Sequence, residues 1–231
     1  LSRSSAASDV YKRQAIYLSK RGFQVEVYER RPDMRKVELS AGRSINLALS
    51  ARGWNALKAV GVDQDVEKMA IPMYKRVMHA VDGSLTDQQY GQDGEAIYSV
   101  SRGGLNQLLM NLAGEQENVN MHFNYKCIDV DLKSASATFE HNDGNQKNVD
   151  ADMIIGADGA YSVIRSKMIK QDRFQYSQHY IEHGYKELTI PANSDGTHKL
   201  EVNALHIWPR GSYMLIALPN IDGSFTCTLF F

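Results

Sequence analysis

The stretch QAIYLSKRGFQVEVYERRPD, residues 14–33, decides the fold class. Ala15, Ile16 and Leu18 give an apolar helical face. Lys20 and Arg21 suit a helix C-terminus, and Gly22 suits the position just past it. Phe23, Val25 and Val27 then alternate with Gln24 and Glu26, the period-two pattern of a strand. Glu29 closes that strand. Helix, stop, strand and acid form the second half of a nucleotide-binding βαβ unit, in which the acid accepts hydrogen bonds from an adenosine ribose. The first half should bring glycines about 20 residues upstream, where a helix N-terminus meets a pyrophosphate. The upstream segment LSRSSAASDVYKRQ holds no glycine and no apolar strand. Read alone, Glu29 is equally well an ordinary surface acid.

Working outward, the 231 residues leave room for one large domain or two modest ones, and at 43% hydrophobic they can build a sizeable core. A net charge of −1 gives no general attraction to nucleic acid or anionic membrane. Cys127 and Cys227 stand far apart without metal-like spacing. That usage belongs to a reducing compartment, so a cytoplasmic location is expected. No run approaches the ~18 apolar residues of a membrane span. The histidines form no ligand pattern with a carboxylate. No nucleophile elbow appears, and no basic stripe with interleaved aromatics suggests nucleic acid.

After the first strand, Ser50 can cap a helix whose Trp54, Leu57 and Val60 share a face and whose stop is Gly61. Residues 76–100 alternate weakly and carry the turns VDGS and GQDGE. Ser101 precedes a strong helix over roughly 102–114, with Leu105, Leu108, Leu109 and Leu112 at i, i+3, i+4 and i+7. VNMHF, CIDVDL and ATFEH read as strands and HNDGN as a hairpin turn. ADMIIGADG reads as a buried strand near 152–156 that enters a glycine turn, and 160–169 as a helix. From about 180 the chain reads as antiparallel strands: YKELTI, ALHIW, YMLIAL and FTCTLFF.

The motif richest in chemistry is MIIGADGAYSVIRS, residues 153–166. Gly156 and Gly159 permit tight backbone near a pyrophosphate. Asp158 can accept hydrogen bonds from ribose or flavin-side groups, and Arg165, three residues past Ser162, can hold the loop or a phosphate. The plain alternative is a strand-to-helix turn with a solvated Asp.

With IGADGAYSVIRS, the segments VYERRPD, GRSINLALS, PMYKRVMH, YSVSRGGLN, HGYKEL, NALHIWPRG and LPNIDGSFTCTLFF resemble the kynurenine 3-monooxygenase family of flavin-dependent aromatic hydroxylases. The resemblance covers essentially residues 14–231. It implies an α/β fold: a Rossmann-like FAD-binding domain of the p-hydroxybenzoate hydroxylase type lacking its first strand, and an antiparallel β-sheet substrate domain. Residues 1–14 read as a non-native leader, with the family's glycine positions falling near Ala6, Ser8 and Tyr11. Residues 15–175 read as the FAD-binding domain, with substrate-contacting strands inserted at 70–100, and 176–231 as the substrate sheet. The chain reads as a piece truncated at both ends, and as written it is expected not to hydroxylate.

The resemblance implies FAD as cofactor, with NADPH and O2 as cosubstrates and L-kynurenine as the small-molecule substrate, giving 3-hydroxykynurenine. Carried over by motif, the FAD-side residues are Glu29, Arg30, Ala48, Arg102, Cys127, Asp158, Gly159 and Arg165. Arg76 and Tyr90 match the carboxylate-binding pair, for which a guanidinium fork and a phenol hydroxyl are well suited. Without the resemblance, Arg76 beside Lys75 is a solvated strand-face charge. Met214, Ile216, Leu218 and Phe230 could wall an aromatic ring or simply pack a core; period two puts Met214, Ile216 and Leu218 on one face. Two other readings stay open: hydroxylation of another aromatic carboxylate, and a non-functional piece that binds no flavin.

Overall fold

The computed structural model describes residues 6–36, 46–92 and 94–231. In chain order its elements are α1 (Ala6–Ser19), β1 (Val25–Glu29), β2 (Asn46–Leu49), α2 (Ala51–Lys58), α3 (Asp63–Glu67), β3 (Ala70–Met73), β4 (Lys75–His79), β5 (Leu85–Gln89), β6 (Ile97–Ser101) and α4 (Arg102–Gly114). There follow β7 (Val119–Phe123), β8 (Tyr125–Asp131), β9 (Ser136–His141), β10 (Gln146–Asp150), α5 (Val163–Met168), β11 (Tyr185–Ile190), β12 (Ala204–Arg210), β13 (Tyr213–Pro219) and β14 (Phe225–Phe230). The chain divides into two compact units: the segment up to 39 with 106–179, and 40–105 with 180–231. The sequence reading placed 70–100 as substrate-contacting strands inserted within 15–175. The structure instead groups the strands of 70–100 with the late sheet, because β4 hydrogen-bonds to β12 in parallel, a pairing that no local pattern announces.

In the first unit, β1 pairs in parallel with β7, Val25 opposite Val119 and Glu29 opposite Phe123. Ala15 and Ile16 of α1 are buried, as their helical face requires. Gly22 takes φ +84, the left-handed stop that glycine adopts without strain. The helix begins at Ala6, inside the stretch read as a leader, and Lys12 is fully buried there beside Asn106. Antiparallel β8, β9 and β10 form a separate three-stranded sheet. Tyr28 of β1 stacks on His122 at 4.5 Å and on Phe139 of β9 at 4.0 Å.

The expected buried strand near 152–156 is not there. Residues 153–158 make no ladder, Met153 is 62% exposed and Ile155 47%. An apolar run becomes a buried strand only where another strand offers it an edge. Among the described residues none pairs with it, and none pairs with the edge of β1 away from β7.

In the second unit, β2, β6 and β3 form one antiparallel sheet, and six strands in the order β11-β14-β13-β12-β4-β5 form the other. The late strands are antiparallel, as the alternation implied. Both faces of the larger sheet carry apolar clusters. Met73, Leu205 and Leu218 lie on one side, and Ala217, Phe225 and Cys227 on the other. Helix α4 spans the range expected, but its buried stripe is Leu105, Asn106, Leu109, Met110 and Ala113, with Leu108 and Leu112 half-buried. Ser101 Oγ accepts from Gly104 N at 3.3 Å and so caps this helix, whereas Ser50 makes no side-chain cap at α2.

Candidate active site

The residues expected on the substrate side all fall on the six-stranded sheet or at its edge. Ladder register sets Arg76 beside Leu205, Ile207 beside Ile216, Met214 opposite Phe230 and Leu218 opposite Thr226. Register partners project to the same side of a sheet, and side chains two apart share a face. Arg76, Leu205, Ile207, Met214, Ile216, Leu218, Thr226 and Phe230 therefore occupy one face. Tyr90 follows β5, and its N–H donates to Tyr74 O at 3.0 Å. The Arg76 guanidinium lies over the Tyr90 ring, 4.5 Å from its centroid. The ring packs against Met73, Leu205 and Leu218, with Ile207 and Ile216 beside them. Burial pushes the Tyr90 hydroxyl pKa up, against the pull of the Arg76 charge.

The structure thus brings together Arg76, Tyr90, Ile216 and Leu218. Met214 and Phe230 share the face as partners of each other, further along β13 and β14, and Met214 is 36% exposed. Leu205, Ile207 and Thr226 were missed as wall residues. Their alternation marked strands, but which face they shared with Arg76 depended on the β4–β12 pairing.

Ala48 is exposed on β2 and Arg102 opens α4, half-buried. On the face of the smaller sheet that carries Ala48, a cavity of roughly 420 Å³ is lined by Asn46, Ser99, Ser101, Asn220, Asp222 and Thr226 among others. Asn220 and Asp222 were not among the residues expected at a site.

In the first unit, Glu29 is 9% exposed and strongly engaged. Arg31 grips it with Nε to Oε1 and Nη2 to Oε2, both at 2.9 Å, and the Tyr11 hydroxyl donates to Oε2 at 2.7 Å. Burial works against the charged carboxylate, but these hydrogen bonds and the Arg31 charge outweigh it and hold the pKa down to about 2. The basic partner is Arg31; Arg30 is exposed.

The glycine turn is fastened from within. Asp158 Oδ2 accepts from Val163 N at 2.7 Å, and Ser162 Oγ accepts from Arg165 N at 2.9 Å, so both cap α5. The Arg165 guanidinium donates to Gly159 O at 3.1 Å and to Ala160 O. Of its two possible tasks, Arg165 therefore holds the loop. Gly159 takes φ +79, which an L side chain rarely adopts. The Cys127 thiol donates to Asp129 O at 3.5 Å beside a β-bulge, and burial followed by the Asp158 charge raises its pKa.

These residues fit FAD. Glu29 already accepts an O–H hydrogen bond from Tyr11, the bond a ribose hydroxyl would make there. Asp158 spends Oδ2 on the helix, and no described residue donates to its Oδ1.

Residues 14–210 match the family described as FAD binding domain. The chain is 56% identical over 217 residues to the kynurenine 3-monooxygenase of Flavobacterium johnsoniae, covering 94% of this chain and 48% of that protein. It is 45% identical over 216 residues to the kynurenine 3-monooxygenase of Sus scrofa, covering 94% and 46%. The chain spans about half the length of the curated relatives it matches. Among solved structures it is similar to p-nitrophenol 4-monooxygenase PnpA from Pseudomonas putida, with a TM-score of 0.76 at 15% identity over 94% of this chain and 54% of that one. It is also similar to 2-methyl-3-hydroxypyridine-5-carboxylic acid oxygenase, with a TM-score of 0.74 at 19% identity over 98% and 56%. At those identities the structures show the fold alone.

Proposed function

From the premise that this chain belongs to the FAD binding domain family, we propose that the whole protein, of whose curated relatives this chain spans about half, hydroxylates L-kynurenine to 3-hydroxykynurenine with FAD, NADPH and O2. The ring C–H becomes C–OH with one oxygen atom of O2. The other leaves as water, and NADPH supplies the two electrons. The observation that carries the substrate class is the Arg76–Tyr90 pair, a cation and a hydroxyl donor beside an apolar sheet face. Arg76 binds the substrate carboxylate in a bidentate fork, and Tyr90 adds a directional O–H donor. Leu205, Ile216 and Leu218 exclude water from the aromatic ring, with Met214 and Phe230 further along the wall. Glu29, Asp158, Gly159 and Cys127 of the first unit are the residues proposed for FAD, with Arg165 holding their loop; Arg30, Ala48 and Arg102 are assigned to FAD by resemblance alone. When bound, FAD supplies hydride acceptance and O2 activation, and the chain's own side chains orient the substrate and keep it dry. Two free cysteines, Cys127 and Cys227, accord with a cytoplasmic setting. No described helix is long and apolar enough to cross a membrane.

The test is to purify the protein, supply FAD and NADPH, and follow flavin absorbance and the hydroxylated product by mass. L-Kynurenine should stimulate NADPH oxidation and appear as product. Turnover of another aromatic acid but not of kynurenine would move the assignment to a different carboxylate substrate. Failure to bind FAD would sink it altogether.

A further inference from the structure

The polar side chains around the cavity beside β2 take no part in the steps above. Asn46 Nδ2 donates to three acceptors: Ser99 Oγ at 2.9 Å, Pro219 O at 3.1 Å and Asn220 Oδ1 at 2.6 Å. With two N–H groups, one of these bonds is shared. Ser99 is 2% exposed, and its hydroxyl donates to the same Pro219 O at 2.8 Å. Asn220 Nδ2 donates to Ser224 Oγ at 2.9 Å and Thr226 Oγ1 at 3.1 Å, so its amide oxygen is the end that faces Asn46. The backbone oxygen of Asn220 accepts from His198 Nε2 at 2.7 Å. Thr226 Oγ1 also donates to Asn220 Oδ1, at a long 3.4 Å, so the network closes on the Asn220 amide. A buried polar network of that kind fixes one arrangement where apolar packing would tolerate several.

Its placement gives the network a role. Asn46 and Ala48 lie on the same face of β2. Asn46 pairs opposite Ser101 and Ala48 opposite Ser99, across β6. At the other end of the network, Pro219 and Asn220 follow directly on Leu218, whose register partner is Thr226. One side chain thus joins the strand carrying Ala48 to the turn at which the apolar wall begins.

We propose that Asn46 is a positioning residue, which sets where Leu218 and Thr226, and so a substrate ring resting on them, stand relative to Ala48. The proposal rests on the function assigned above for its catalytic consequence, but its structural part stands apart from that function. Asn46→Asp keeps the size and removes both N–H donors, leaving an oxygen facing Pro219 O and Asn220 Oδ1. Ser99→Ala is the milder companion, removing one arm only.

Amide hydrogen exchange on the FAD-supplied chain is the first readout. In Asn46→Asp the amides of Asn220 and Ser224 should exchange at least tenfold faster, and in Ser99→Ala about threefold faster. Amides of β8, β9 and β10 should be unchanged. Turn amides at the wild-type rate, or acceleration spread evenly through every sheet, would overturn the proposal. The second readout is hydroxylated product per NADPH oxidised. It should fall at least threefold in Asn46→Asp while the Kd for kynurenine stays within twofold, because Arg76 and Tyr90 still hold the carboxylate. An unchanged ratio would also overturn it. If the wild-type protein yields no hydroxylated kynurenine, the functional assignment fails, and the exchange rates alone decide the role of Asn46.

Discussion

Arg76→Lys separates a carboxylate clamp from a solvated surface charge. Lysine keeps the positive charge but loses the planar fork that makes two parallel hydrogen bonds to a carboxylate. A hydrogen bond to a charged group contributes about 1.5–3 kcal/mol. Arg76 is exposed, so solvent screens it and the lower end applies. A loss of about 1.4 kcal/mol is a tenfold rise in Kd, and that is the expected effect on L-kynurenine binding. Stacking over Tyr90 offsets little, because an exposed cation–π contact contributes only about 0.5–1 kcal/mol and an ammonium retains part of it. Tyr90→Phe keeps the ring that packs on Met73, Leu205 and Leu218 and deletes only the hydroxyl. Its cost of about 0.5–1.5 kcal/mol is roughly a twofold to twelvefold rise in Kd. Because the two side chains touch, the double variant should lose less than the sum of the single losses.

Calorimetric titration of FAD-supplied protein with L-kynurenine measures these changes, and its decarboxylated amine analogue is the control. The analogue should bind weakly to the wild type and respond less than twofold to Arg76→Lys. If kynurenine itself binds Arg76→Lys within twofold of wild type, Arg76 is not its carboxylate partner and the substrate assignment loses its support.

His79 Nε2 and His206 Nδ1 lie 2.9 Å apart, and burial lowers the pKa of each below the usual histidine value. Their contribution to stability is therefore fully present above about pH 6.5, the unfolded value, and is lost as pH falls from there through the depressed folded values. Urea unfolding between pH 7.5 and 5 should show this loss, and His206→Asn should flatten it. Glu29, held at about pH 2, contributes stability that is lost only between about pH 4.5 and 2, so Glu29→Gln should weaken the fold at neutral pH and converge with wild type in acid. Gly223 and Gly83 share nearly the same φ, +86 and +87, but a Cβ on Gly223 would sit 2.2 Å from Gly196 O, whereas none of the described atoms lies within 4 Å of one on Gly83. Gly83→Ala should cost about 1–2 kcal/mol from backbone strain alone. Gly223→Ala should cost clearly more, and equal thermal midpoints for the two variants would refute that.

What the sequence made legible was whatever depends on neighbours along the chain. The helix at 102–114, the stop at Gly22 and the four late strands follow from periodicity and caps, and all appear where expected. What it hid depends on partners far away in the chain. The alternation in ALHIW marks a strand without saying that Leu205 will stand beside Arg76, because that needs the parallel pairing of β4 with β12. The proposed pair Arg76 and Tyr90 was therefore legible by motif, while the apolar face beside it was half legible: Ile216 and Leu218 by alternation, Leu205 and Ile207 only by register. Residues 152–156 make the same point in reverse. Their apolar composition satisfies every local criterion for a buried strand, yet Met153 and Ile155 lie exposed and no described strand pairs with the run. A strand is a relation between two backbones, and composition specifies one side of it. Asp158 differs because its work is local. Its carboxylate caps a helix five residues on through Oδ2, so the turn keeps its shape although no described strand pairs with the run before it.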